Sequence, residues 1–179
     1  DADHLDYFKD LEHIIQSFHR FAGQTSRLLV VNGDDANTRK AIEGLSLPVL
    51  TFGLGENNDY RAVNISAHAG VKEQFTLSYR GEPLTDITLS VPGKHNIYNA
   101  LAAAAAAHYL GVAPDDIAFS LHQFTGVHRR FEILGDLHGI TVADDFAHHP
   151  TELKATLTAA MQMGFQQVWA VFQPHTFSR

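Results

Sequence analysis

Asp144-Asp145-Phe146-Ala147-His148-His149-Pro150-Thr151-Glu152 sets two carboxylates and two imidazoles at a predicted junction between a strand and a helix. The preceding Gly-Ile-Thr-Val-Ala run, 139–143, reads as a buried strand. Pro150 suits a helix start, and Thr151 and Glu152 favour the first turn. In open parallel sheets, ligands collect at the carboxyl ends of strands, so polar residues concentrated there mark a candidate site. Helix capping is the competing account. It needs only one such residue, and four ionisable groups exceed that need.

Working outward, helices and strands alternate. Leu11, Ile14, Ile15 and Phe18 have the spacing of an amphipathic helix over 10–21, followed by a short apolar strand over 27–31 that ends in Asn32-Gly33-Asp34-Asp35. A helix over 37–45, ended by Gly44, and a buried strand over 49–52 come next. From 60 to 91 the pattern changes to strand alternation, with 71–79 and 84–89 joined by the turn sequence Arg80-Gly81-Glu82-Pro83. Helices are predicted over 97–110, stopped by Gly111, over 114–124, opened by Pro114, and over 151–163, stopped by Gly164. A last strand is expected over 167–172. The pattern is α/β: a parallel sheet with helices and a small antiparallel β element, then the start of a second α/β unit. Basic residues after a helix end place the boundary near 126–131, giving units of 1–128 and 129–179.

Composition narrows the class. The 179 residues are 45% hydrophobic, enough for a core, and no apolar run approaches the ~20 residues that span a bilayer. The alanine run 102–107 is broken by His108 and reads as a tightly packed helix. Cysteine is absent, which excludes disulfides and thiolate metal sites and fits a cytoplasmic location. A net charge of -7 argues against a nucleic-acid surface. An anionic nucleotide would have to be held by a few placed cations and backbone groups.

Four segments add specificity when read in order. They are Asp1-Ala2-Asp3-His4-Leu5-Asp6, Gly93-Lys94-His95-Asn96-Ile97-Tyr98-Asn99-Ala100, Arg129-Arg130-Phe131-Glu132 with the 144–152 run, and Phe172-Gln173-Pro174-His175-Thr176-Phe177-Ser178-Arg179. In this order and spacing the chain resembles the Mur ligases, the ATP-dependent amide-forming enzymes of peptidoglycan precursor synthesis. The resemblance implies the end of a central ATPase domain followed by the start of a Rossmann-like C-terminal domain. It also implies ATP and Mg²⁺ as cofactors. The implied reaction joins L-alanine to the carboxylate of UDP-N-acetylmuramate through an acyl phosphate, with neither nucleic acid nor membrane as a partner.

The resemblance assigns residues as follows. His4 matches a histidine that ligates Mg²⁺, an unusual role because that ion prefers oxygen. A histidine near the first helix end, interacting with Asp1, Asp3 or Asp6, is the alternative. His95, Asn96 and Asn99 match the adenine-binding segment, and amide side chains offer the donor and acceptor that an adenine edge needs. Asn96 as a simple N-cap is the alternative. Arg130 matches an arginine that reaches ATP phosphates from the hinge, although Arg129 stands beside it. Asp145 matches an aspartate that touches the ribose. His148 is placed to contact the reacting phosphate or acyl group, whereas His149 reads as structural. His175 and Arg179 match the motif that holds the incoming amino acid, Arg179 at its carboxylate.

Departures from the family pattern are informative too. Phe146 stands where Tyr is usual, and Thr176 where many members have Arg. The family's Gly-x-x-Gly-Lys-Thr phosphate loop is not found in the 179 residues. An internal fragment is therefore expected, inactive by itself, and a sheet cut short predicts association between copies. Two other readings stay open at this point: a sister ligase of the superfamily that recycles muropeptides, and a non-catalytic nucleotide-binding module.

Overall fold

The computed structural model describes residues 2–66 and 73–174. A five-stranded sheet runs in the order β1 (Leu29–Asn32), β2 (Val49–Gly53), β3 (Tyr60–Ser66), β4 (Gln74–Tyr79), β5 (Glu82–Thr88). The first three strands are parallel, and β3, β4 and β5 form an antiparallel meander. This is the predicted mixed α/β sheet, with the antiparallel element attached to the parallel layer rather than separate from it.

Helix α1 (Leu11–Gly23) starts where Asp10 accepts a hydrogen bond from the His13 amide at 2.8 Å, and α2 (Ala36–Ile42) starts under Asp35 in the same way. α1 packs on α2 beside the β1 edge. The alanine-rich helix α3 (Lys94–Tyr109) lies across β1, β2 and β3. Its buried face is Ile97, Ala100, Leu101, Ala104 and Ala105. Small side chains let the helix axis approach the sheet closely, which explains why alanines are concentrated there. Leu50, Phe52, Tyr60, Phe75, Leu77, Ile87 and Leu89 complete this core, and α4 (Pro114–Gln123) closes it through Ile117 against β5.

Some sequence expectations shift. The 80–83 turn is shorter than predicted. Arg80 and Gly81 alone make it, both at positive φ (51° and 90°), and β5 begins at Glu82. Two positive φ angles are what a tight hairpin turn between twisted strands requires. Pro83 is accommodated inside β5 because β5 is an edge strand.

The second unit departs further. β6 (Glu132–Leu137), which periodicity did not reveal, pairs antiparallel with β7 (Ile140–Asp144). The strand expected to be buried is largely exposed, with Ile140 at 67% and Val142 at 49%. No other described strand pairs with this hairpin, so its faces stay open. α5 (Pro150–Gln162) follows as predicted. The stretch predicted as a strand over 167–172 has no regular structure. A strand exists by pairing its backbone groups, and none of the described strands lies beside it.

Candidate functional site

Helix α3 opens at Gly93, whose φ is 97° and which offers no side-chain cap. A Cβ there would stand 2.8 Å from the His95 ring and 3.1 Å from Ala159 of α5, so glycine is required for space as well as backbone angle. The alternative reading of Asn96 as a simple N-cap does not hold, because Gly93 is the N-cap residue. Asn96 sits inside the first turn, donates to the Pro92 carbonyl at 2.7 Å, and accepts from the Asn99 amide at 3.1 Å. Asn99 is exposed and keeps its carbonyl oxygen and one N–H for a ligand edge. Asn96 thus backs Asn99. Lys94, the first helical residue, is exposed.

His95 links the two units. Although His95 is exposed, partial desolvation of its imidazole holds it below the ordinary histidine range, Asp145 acts in the opposite direction, and Arg130 adds to the lowering. The structure thus brings His95, Arg130 and Asp145 into one electrostatic neighbourhood, with α3 packed on α5.

Asp145 is heavily engaged. It accepts from the Phe131 amide at 2.9 Å, the Ala147 amide at 2.6 Å and the Thr156 hydroxyl at 3.0 Å. About four acceptor positions exist on a carboxylate, so roughly one is left for a further donor. The same bonds brace the segment that leads into β6, where Gly126, Arg129 and Phe131 all have positive φ.

The two adjacent arginines make different contacts. Arg129 stacks over the Phe146 ring at 4.4 Å and lies 3.6 Å from Asp144. Arg130 Nη1 lies 3.6 Å from Glu152 Oε1. The stacking shows that the ring of Phe146 serves for packing without a phenolic hydroxyl.

His148 and His149 also separate. The Thr151 amide donates to His149 Nδ1 at 3.3 Å, so the proton is on Nε2, which reaches the Ala2 carbonyl at 3.2 Å. His149 is the N-cap of α5. His148 Nδ1 is 2.9 Å from the Phe146 carbonyl, an acceptor only, which places a proton on Nδ1. Glu152 accepts from the amides of both histidines, at 3.2 and 3.3 Å. Partial burial pushes the Glu152 carboxyl up, but these amides, with the charges of His148 and Arg130, outweigh it and hold it below the ordinary range.

A cluster that sequence reading did not assign stands at the ends of β1 and β2. Asp34 accepts from the Leu54 amide (2.6 Å), Asn58 Nδ2 (2.7 Å) and the Tyr98 hydroxyl (3.0 Å). The available signal was two polar loops, 32–35 and 53–59, each following a parallel strand.

His4 lies 3.7 Å from Asp3 and has φ 53°. Among the described residues no group of three His, Asp or Glu side chains could hold a metal ion. One imidazole and one carboxylate do not make the octahedral oxygen shell of Mg²⁺, so these residues alone do not fit a resident ion. His175, Thr176 and Arg179 lie outside the described residues. No helix among the described residues is long and apolar enough to cross a membrane.

Residues 1–107 match the Mur ligase middle domain, and 129–178 match the Mur ligase glutamate ligase domain. Over its full length the chain is 45% identical to a UDP-N-acetylmuramate--L-alanine ligase of Caldanaerobacter subterraneus, covering 39% of that protein. It is 46% identical to one from Caldicellulosiruptor bescii, covering 40%. Among solved structures, the UDP-N-acetylmuramate-alanine ligase MurC of Thermotoga maritima superposes with a TM-score of 0.74 at 30% identity, covering 90% of this chain and 36% of that one. A murein peptide ligase of Psychrobacter arcticus gives 0.66 at 32% identity, covering 87% and 33%. The chain spans about two fifths of the length of the curated relatives it matches. With more than half of its residues inside the middle-domain match, the chain belongs to the Mur ligase family.

Proposed function

We propose that these residues form the nucleotide-facing hinge region of an ATP-dependent, ADP-forming ligase that joins L-alanine to the carboxylate of UDP-N-acetylmuramate, a cytoplasmic step of peptidoglycan synthesis. The carrying observation is that His95 of α3 shares one neighbourhood with Arg130 and Asp145 of the following unit. The 45% identity to an L-alanine ligase supports the choice of substrates. On this reading the unit boundary falls between residues 128 and 129.

The chemistry requires an activated carboxylate. Transfer of the γ-phosphoryl group of ATP to the carboxylate oxygen releases ADP and gives an acyl phosphate. The amine of L-alanine then attacks the acyl carbon, the C–N bond forms as the C–O bond to phosphate breaks, and the amine proton is lost to solvent or a base. Such transfer is mainly positioning and charge neutralisation. Asn99, backed by Asn96, takes the adenine edge, His95 flanks it, and the remaining acceptor position of Asp145 takes a ribose hydroxyl. Arg130 reaches the phosphates, and His148 lies beside the reacting group. Arg179 and His175 take the carboxylate and body of the amino acid. Mg²⁺ would accompany the nucleotide phosphates, with His4 as one ligand from this chain, and no step above depends on its geometry.

The test is phosphate release by a ligase of full family length that contains these residues, with ATP, Mg²⁺, UDP-N-acetylmuramate and either L-alanine or a preformed peptide. Turnover with L-alanine is expected. Turnover with the peptide alone would replace this reading by the recycling ligase, and turnover with neither would favour a binding module.

A further inference from the structure

Capping α5 would occupy only part of the Glu152 carboxylate. Oε2 alone accepts both backbone amides, from His148 and His149. Oε1 faces Arg130 Nη1 at 3.6 Å. The same carboxylate lies 3.9 Å from His148 Nδ1, whose proton is already directed to the Phe146 carbonyl. The two oxygens therefore serve two purposes. Oε2 closes the helix end beside His148, and Oε1 directs negative charge at Arg130.

We infer that Glu152 is a positioning residue, which fixes the Arg130 guanidinium relative to His148 while it caps α5, so that the cation from the hinge and the imidazole from the strand–helix loop act on the same phosphate. This inference rests on the ligase reading of Arg130 given above. At 3.6 Å the contact is an ion pair longer than a hydrogen bond. It orients the guanidinium without occupying its five N–H donors, which leaves that fork for phosphate oxygens. Glu152 is held ionised by the two amides and the nearby cations, so the charge is present across the neutral range.

A capping role and a positioning role separate cleanly at this position. Glutamine serves as well as glutamate in a capping box, because a side-chain oxygen accepts the backbone N–H in either case. Only glutamate supplies the charge. In a family-length ligase carrying these residues, Glu152→Gln is expected to leave the melting temperature nearly unchanged, while kcat/KM for ATP falls about tenfold, as expected for a misplaced charged contact. KM for L-alanine is expected to stay unchanged. Glu152→Ala should lose both stability and activity. In an Arg130→Met background, Glu152→Gln should add little, because the group through which it acts has gone.

The outcomes are distinct. If Arg130→Met itself leaves ATP kinetics unaltered, the ligase reading of the hinge fails and this inference with it. An impaired Arg130→Met beside a fully active Glu152→Gln would overturn the inference alone. So would a Glu152→Gln loss that persists at full size in the Arg130→Met background, or one matched by an equal fall in melting temperature.

Discussion

The Tyr98 hydroxyl donates to Asp34 Oδ2 at 3.0 Å across 64 positions of sequence, tying the first turns of α3 to the loop after β1. Asn99 follows Tyr98 directly, so this bond helps fix the orientation of the helix end that presents it. Burial pushes the Asp34 carboxyl up, but its bonds from Leu54, Asn58, Tyr98 and Gly55 outweigh this and hold it below the ordinary range. Burial and the bond to Asp34 push Tyr98 up to about 12.

Asp34→Asn is therefore expected to destabilise the chain by about 1–2 kcal/mol at neutral pH, and Tyr98→Phe by about 1 kcal/mol. The signs differ with pH. A depressed carboxylate contributes stability above its unfolded value, near 4, and loses it as pH falls through the folded value. The raised tyrosine contributes below pH ~10 and loses its contribution as pH rises toward 12. Urea midpoints measured from pH 3 to 11 check this. Asp34→Asn should flatten the acid limb, and an unchanged limb would contradict the assignment.

Gly33 is required for space. A Cβ at this position would lie 2.1 Å from Asn58 Oδ1 and 3.1 Å from Thr51 Cβ. Asn58 cannot withdraw without losing its bonds to Asp34 and to the Gly55 carbonyl. Gly33→Ala should cost about 2 kcal/mol or more, in the range of overpacking. Gly135→Ala, where a Cβ meets nothing within 4 Å, is the control and should be far milder. Equal melting temperatures for the two variants would contradict the packing described.

Thr156→Val removes one of three donors to Asp145 while keeping the side-chain shape. Stability should fall by about 1 kcal/mol. The more specific readout is hydrogen exchange at the Phe131 amide, which donates to the same Asp145 oxygen. Its exchange should accelerate more than that of amides within α3. Uniform acceleration would show that Thr156 contributes only to global stability.

Trp169, the only tryptophan, is 83% exposed, and Leu137, Ile140 and Val171 are also open to solvent. Association of the 179-residue chain through these apolar residues is expected. Indole emission should be that of a solvated ring at high dilution and shift to the blue as concentration rises. Sedimentation as a monomer at every concentration would contradict this.

Much of the fold could be read from the sequence because single-segment patterns determined it. The spacing of Leu11, Ile14, Ile15 and Phe18 identified α1, and the Arg80-Gly81 turn identified the β4–β5 hairpin, although its length was overestimated. β6 escaped because Glu132–Leu137 contains Gly135 and its apolar residues, Ile133, Leu134 and Leu137, do not alternate, which leaves no clean period. The strand expected over 167–172 failed for the opposite reason. Its apolar run has strand propensity, but pairing is a tertiary condition that propensity does not report. At the site, Asn96, Asn99, Asp145 and His148 were noticeable as residue types. What the sequence did not reveal was that Thr156 holds Asp145 and Glu152 holds the His148 backbone, because hydrogen bonds between loops and helix turns leave no periodic trace. Asp34 escaped for the same reason, since Tyr98 reaches it only through the packing of α3 on the sheet.

The most direct test of the account is a crystal structure of a family-length ligase carrying these residues, solved with a non-hydrolysable ATP analogue. The adenine edge should lie within hydrogen-bond distance, roughly 3.5 Å, of the Asn99 amide, with a ribose hydroxyl at Asp145 and phosphate oxygens at Arg130. Adenine beyond that distance from both Asn96 and Asn99, or phosphates bound away from Arg130, would contradict the claim that α3 and the following hinge form one nucleotide site.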